Sequence, residues 1–184
     1  MITVKQFYFN PLRECTYIVA DNTGECIIID PGMSTDRECE RVKKYILENN
    51  LKLQKVVLTH GHFDHVMGCA WIVDNYKVPV YISPEDKEIL SNAKQTCSMF
   101  GITINNTPSE TLDLIDSQYV EFGESSFKIM ATPGHTRGSV CLYSANDNLC
   151  FSGDTLFAGS CGRTDLPEGD NFSMRDSLIK VLAP

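Results

Sequence analysis

No run of this chain approaches the roughly 20 consecutive apolar residues that a membrane-spanning helix needs, and that excludes a membrane-embedded activity. No C-x-x-C pair occurs, so zinc-finger spacing is ruled out. The H-E-x-x-H helix signature of metalloproteases is absent as well. Basic residues are few: 16 Lys and Arg stand against 24 Asp and Glu, a net charge of -8. Because nucleic-acid backbones are held by clustered cations, this balance argues against a nucleic-acid partner. The first residues, Met1-Ile2-Thr3-Val4-Lys5-Gln6, lack the charged and apolar regions of a signal peptide, and the expected location is the cytoplasm. Histidine is scarce too, with four in 184 residues.

What is present is ordinary for a globular enzyme: 42% hydrophobic and 22% charged residues, and a length that suits a single domain over 1–184 with one substantial core. Eight cysteines raise the question of a disulfide framework. Cys15, Cys26, Cys141 and Cys150 fall inside apolar strand patterns, however, where a free thiol behaves as a small hydrophobe. Free thiols are therefore expected, and Cys161, beside Gly162-Arg163 in a loop, is the one with a possible role.

Strand patterns cover residues 2–9, 15–20 and 26–30, with Asp21-Asn22-Thr23-Gly24 as a hairpin turn. Ser34 or Thr35 is placed to cap a helix running to about residue 50, with Cys39, Val42, Ile46 and Leu47 on its buried side. A helix over 65–76, a strand over 78–82 and a helix opened by Ser83-Pro84-Glu85-Asp86 follow. Residues 91–109, rich in Asn, Thr and Ser, read as a short helix mixed with loop. Strands return at 111–115, 118–122, 126–131, 139–144 and 148–152, and a last helix covers 171–182. Asp30-Pro31-Gly32 ends its strand, and Asp30 is expected to orient a neighbour rather than bind metal; Gly134 is expected in a tight turn.

Three of the four histidines sit in Thr59-His60-Gly61-His62-Phe63-Asp64-His65. Imidazole nitrogens and carboxylate oxygens are the usual ligands of zinc and non-haem iron, and crowding four such groups is costly unless they coordinate an ion. In an extended segment His60 and His62 share a face, and Gly61 is expected to let the backbone pass close to the ion. The preceding Val56-Val57-Leu58 is the pattern of a buried strand, so the cluster belongs at a strand tip.

This segment resembles the signature of the metallo-β-lactamase superfamily, whose members are mono- and dinuclear metal hydrolases and oxygenases. Thr132-Pro133-Gly134-His135-Thr136-Arg137-Gly138-Ser139 resembles the family's second ligand loop. Phe151-Ser152-Gly153-Asp154-Thr155-Leu156-Phe157 resembles the strand end that carries its bridging aspartate. The resemblance implies an α/β fold, an αββα sandwich here lacking its last C-terminal strand. It also implies that His60, His62 and His135 bind one ion, with Asp154 bridging to a second held by Asp64 and His65. Related hydrolases add a histidine after the final helix, and this chain has none after His135. Without that strand the second sheet has an open edge, which a homo-oligomer would cover.

The implied cofactor is zinc, one or two ions, with iron or manganese as substitutes. The implied chemistry is hydrolysis by a metal-bound hydroxide, with Asp64 as catalytic residue orienting it. Ala158-Gly159-Ser160-Cys161-Gly162-Arg163-Thr164-Asp165 resembles the corresponding loop of hydroxyacylglutathione hydrolases (glyoxalase II). There a basic residue at the Arg163 position meets a glutathione carboxylate, a pairing that suits the guanidinium fork. The alternative role for Arg163 is pairing with Asp165 or capping a turn. The substrate reading is thus a small thioester, glutathione-derived, whose thiolate leaves without a general acid. Two alternatives remain. A mononuclear iron persulfide dioxygenase resembles the same loop and needs only His60, His135 and Asp154. The other is a metal-binding domain without activity.

Overall fold

The computed structural model describes residues 1–104 and 106–182, so Asn105, within the segment read as irregular, and the last two residues lie outside the described residues. Two sheets stack face to face. The first has six strands in the order β1-β2-β3-β4-β5-β6: β1 Thr3–Phe9, β2 Glu14–Ala20, β3 Glu25–Ile29, β4 Lys52–Val57, β5 Val80–Ile82 and β6 Leu112–Asp113. The pairs β1–β2 and β2–β3 are antiparallel, whereas β3, β4, β5 and β6 run parallel. Parallel neighbours need long crossovers, and helices supply them. The second sheet is antiparallel, β10-β9-β8-β7, built from β7 Tyr119–Phe122, β8 Ser125–Ala131, β9 Val140–Ser144 and β10 Leu149–Phe151. Among the described residues no strand pairs with the outer edge of β10.

Strand alternation sorts the core into two layers. Val19, Ile27, Ile29 and Val57 from the first sheet meet Phe127, Ile129, Val140 and Leu142 from the second, forming the apolar layer between the sheets. The opposite face of the first sheet, with Ile18, Ile28 and Val56, packs on the helices α1 Asp36–Glu48, α3 Cys69–Tyr76 and α4 Lys87–Met99. The helix α5 Asn171–Leu182 rests on the second sheet: Ser177 donates to the Pro133 carbonyl and Lys180 to the Ala131 carbonyl. Helix, sheet, sheet, helix is the αββα layering expected from the resemblance.

Local rules explain most boundaries. Thr35, the second of the two candidate caps, opens α1 with a full capping box, its side chain accepting from the Glu38 N–H while Glu38 reaches back to Thr35. Cys39, Val42 and Ile46 are buried as the spacing requires, but Leu47 is exposed, because it lies one position past that stripe. The helix expected over 65–76 is two: α2 Phe63–Val66 and α3, separated at Gly68. There the Gly68 N–H bonds the Pro31 carbonyl, and a Cβ would strike the Met33 side chain and the Pro31 carbonyl, so a close crossing overrides helical continuity. The segment from 91 mixes helix and loop as expected. It continues α4 to Met99 because Leu90, Ala93 and Cys97 lie on one buried face. A short ribbon, β11 Leu156–Phe157 with β12 Ser160–Cys161, replaces the loop expected after Asp154.

All eight cysteines are free thiols; Cys26 and Cys141 are buried, Cys15 is half-buried, and Cys150 and Cys161 are exposed. No helix among the described residues is long and apolar enough to cross a membrane.

Candidate metal centre

Strand ends converge on one point. The parallel strands β3 and β4 deliver Asp30 and the 59–65 segment at their C-terminal ends, the usual place for sites in such sheets. From the second sheet, the turn after β8 brings His135 and the turn after β10 brings Asp154. The Val140 N–H bonds the Thr59 carbonyl and so pins the two sheets together beside the site.

His60, His62 and His135 offer nitrogens that all lie within 4.8 Å of one another. Their tautomers follow from their partners. Thr59 donates its hydroxyl to Asp30 Oδ2 at 2.6 Å, so its oxygen accepts from His60 Nδ1 at 3.1 Å. That leaves His60 Nε2 as a bare acceptor, and it is fully buried with no hydrogen-bond partner. His135 Nδ1 faces the Arg163 carbonyl at 2.8 Å and must donate, leaving His135 Nε2 free to accept. His62 Nδ1 points at that same nitrogen, 2.8 Å away. A buried lone pair without a partner is expensive, and a cation removes the cost. The unpartnered His60 nitrogen, with nitrogens of His62 and His135 within 4.8 Å of it and of each other, therefore fits a divalent ion.

A second set of donors adjoins the first. His65 Nε2 lies 3.3 Å from Asp154 and 3.6 Å from Asp64, while its Nδ1 donates to Asp30 at 3.0 Å. Asp154 also reaches His135 Nε2 at 3.4 Å and stands between the two sets, in the position of a bridge. The six residues expected as ligands are thus brought together. A cavity of about 520 Å³ borders Asp64, His65 and Asp154 from the side of β1, β2 and β10. The described residues include no further histidine to close this second set.

Charge states fit the first set of donors. Burial, reinforced by His65, His62 and His135, holds His60 well below the ordinary imidazole range, and burial beside His135 brings His62 down to about 4. Both are neutral, as ligands must be. Burial alone would lower His65, but the carboxylates of Asp30, Asp154 and Asp64 outweigh it and raise the imidazole well above its usual range. Burial raises Asp64. For Asp154 burial pulls upward too, yet the His65 hydrogen bond and the surrounding imidazoles win and lower it.

Asp30 does what was expected of it. Its carboxylate is filled by the Thr59 N–H, the Thr59 hydroxyl and His65, so it orients ligands. Gly134 is in a tight turn with φ +147°, where a Cβ would strike the backbone of Met174 on α5. Gly61 has a different reason from the one expected: a Cβ would meet the Asp86 carbonyl at 2.8 Å and the Leu90 nitrogen at 3.1 Å. Its lack of a side chain admits the start of α4, not an ion. Arg163 lines the cleft, but its guanidinium is held by Asp165 through two 2.8 Å bonds, and its carbonyl rather than its charge serves the centre, through His135. Cys161 lines neither cavity.

The residue that the sequence reading passed over is Asp86, taken there only as a helix-start acid. It is completely buried and accepts from the Gly61 N–H, the Thr136 hydroxyl and the Gly138 N–H at 2.9, 2.7 and 2.7 Å. One carboxylate thus ties the loop of His60 and His62 to the loop of His135. Burial raises its carboxyl against the pull of these donors. Asp86→Ala is expected to weaken metal affinity by about 10- to 100-fold, the range for lost outer partners of ligands. Asp86→Asn, which keeps an acceptor for two of the three donors, should fall between. Competition with a chromophoric chelator measures both, and wild-type affinity in Asp86→Ala would refute the strut.

The metallo-beta-lactamase superfamily profile matches residues 11–184. This chain belongs to that superfamily. Its relatives include a probable metallo-hydrolase of Bacillus subtilis, 32% identical over 90% of this chain and 76% of the relative. Another is a hydroxyacylglutathione hydrolase of Haemophilus influenzae, 31% identical over 91% of this chain and 78% of that protein. Among solved structures, a protein in a di-iron-bound form superposes with a TM-score of 0.88 at 34% identity, covering 98% of this chain and 87% of that one. Membership in this metal-binding superfamily makes the convergent histidines and carboxylates a candidate metal centre.

Proposed function

We propose that the protein is a metal-dependent thioester hydrolase acting on a small thioester such as hydroxyacylglutathione. The observation that carries this reading is the lining of the cleft over the metal centre. The cleft, about 890 Å³, includes His62, Asp64, His135 and Asp154 in its floor, and no lysine, cysteine or tyrosine lines it. Both histidines there are suited as ligands, so a general acid for the leaving group would have to be one of the lining carboxyl groups. A thiolate is a good enough leaving group to depart without one, whereas an amine is not. The name of the Haemophilus relative points the same way.

A bound divalent ion supplies Lewis acidity, lowering the pKa of a water and polarising the acyl carbonyl. His60, His62 and His135 are suited to hold one ion; Asp64, His65 and Asp154 are suited to hold a second, and the di-iron form of a similar protein supports two. Asp64, half-buried at the cleft floor, is placed to accept a hydrogen bond from the attacking water and aim it. The water oxygen bonds to the acyl carbon, the carbon–sulfur bond breaks with its electron pair leaving on sulfur, and the water's protons pass to the products, a carboxylic acid and a thiol. Arg163, on the cleft rim, is placed to meet a substrate carboxylate in exchange for Asp165. Arg163→Ala is therefore expected to raise KM several-fold with kcat little changed, and unchanged KM would remove it from substrate binding.

The geometry also admits a mononuclear iron dioxygenase using His60, His135 and Asp154, a two-histidine, one-carboxylate set. One sample separates the readings. Zinc, iron and manganese are counted per chain, then hydroxyacylglutathione hydrolysis and oxygen uptake with glutathione persulfide are assayed. Hydrolysis without oxygen uptake is expected; one iron with oxygen uptake and no hydrolysis would replace the leading reading, and stoichiometric metal with neither would leave a binding domain.

A further inference from the structure

The cleft above the metal centre is chemically uneven along its length. One wall is α4, whose 13 residues extend about 20 Å at 1.5 Å per residue. Asp86 fixes the start of this helix to the loop of His135, which places Arg137, Glu85 and Glu88 at that end of the cleft. Among the described residues Arg137 is exposed and has no ion-pair partner. Toward the other end the same helix carries Ile89, Ala93 and Met99 into the cleft with Asn92 and Thr96 among them, and Phe100 follows at its C-terminus. Phe63, the residue between the metal ligands His62 and Asp64, stacks on Phe100 with ring centroids 5.0 Å apart and planes 17° apart. The apolar surface is therefore continuous with the metal floor.

Much of this surface is wet. Met99 is 74% exposed, Phe100 65%, and Leu12, across the cleft, 56%. Single exposed apolar residues are common, but three lining one concavity beside a reactive centre have a use when a ligand covers them. Phe63 is anchored beneath by Met67, Cys97 and Ile104, so the platform is rigid on its inner side and open on its outer side.

We propose that the Phe63–Phe100–Met99 wall seats the acyl group of the substrate, and that the preferred thioesters carry a hydrocarbon acyl chain with the polar thiol portion directed toward Arg137. This rests on the thioester reading above and adds to it which half of the substrate is recognised by burial. A small polar acyl group would leave the wall uncovered, whereas each methylene laid on it leaves water.

The test is a chain-length series of acyl N-acetylcysteamine thioesters, from acetyl to octanoyl, with the metal-loaded protein. kcat/KM is expected to rise about two- to fourfold per added methylene, the worth of partial to full burial of one CH2. Phe100→Ser and Met99→Ala should flatten the series; both side chains are solvent-exposed, so the fold is retained. In parallel, calorimetry gives the affinity of the corresponding straight-chain carboxylates, a readout that needs no turnover. If no thioester is hydrolysed but carboxylate affinity climbs with length and falls in Phe100→Ser, the hydrolase reading fails and the apolar seat stands. Hydrolysis independent of chain length and of Phe100 overturns the seat and leaves the hydrolase. A flat series together with self-association that Phe100→Ser abolishes assigns the wall to a second copy of the chain, and also overturns the proposal.

Discussion

A His60→Ala chain is expected to fold, to bind no stoichiometric metal and to show no detectable hydrolysis. The argument turns on the one nitrogen that has no partner in the protein. His60 Nε2 is buried and unbonded, while its Nδ1 only donates to a Thr59 oxygen that is separately tied to Asp30. Removing the ring therefore leaves no buried polar group orphaned, and the structural cost is a cavity, about 2–3 kcal/mol by analogy with large-to-small core changes. What disappears is one of the three convergent nitrogens, and the loss of metal affinity should exceed the roughly 100-fold upper range for outer partners. Metal per chain by atomic spectroscopy and far-ultraviolet circular dichroism on the same sample check it. A folded variant that still holds one ion per chain would remove His60 from the ligand set.

Stripping the metal should lower the melting temperature by about 10 °C. A ligand that binds only the folded state stabilises it by about 4 kcal/mol when present at a thousandfold over its Kd. For a chain of this size each kcal/mol moves Tm by about 2–4 °C. The centre is built so that this linkage is felt globally: its ligands hang on the ends of β4, β8 and β10, and the loops are cross-tied by Asp86 and by Asp30. Scanning calorimetry before and after chelation, with zinc or iron added back, gives the shift. An unchanged Tm in a sample shown to have lost its metal would mean that the sheets and not the ion hold the loops.

The candidate ligands were legible because coordination chemistry is written locally. His60, His62, Asp64 and His65 lie within a few residues, and a cluster of that composition has few other uses. His135 and Asp154 were found through motif resemblance rather than spacing, since each is a single residue in a turn. Asp86 was not legible: an acid after Ser-Pro-Glu has a sufficient local explanation as a helix start, and its three hydrogen bonds reach residues 25, 50 and 52 positions away. The same limit hid the break at Gly68, where a contact with Pro31 and Met33 overrides helical periodicity. The helix-and-loop mixture expected over 91–109 was legible: α4 runs on to Met99 and no helix or strand follows among the described residues before β6, although Asn, Thr and Ser lower helix propensity. Arg163 shows how one residue can carry a role its type does not announce, since its carbonyl sets the tautomer of His135 while its charge is held by Asp165.

The sequence by itself determined most of the strand and helix pattern, the free thiols and the residue types of the candidate metal centre, because periodicity and ligand chemistry act over a few neighbouring residues. The tertiary structure alone decided which nitrogen of each histidine faces the ion, what holds the two ligand loops together and which wall of the cleft is apolar. Those are properties of groups far apart in the chain, fixed only when two sheets and α4 close around one buried point.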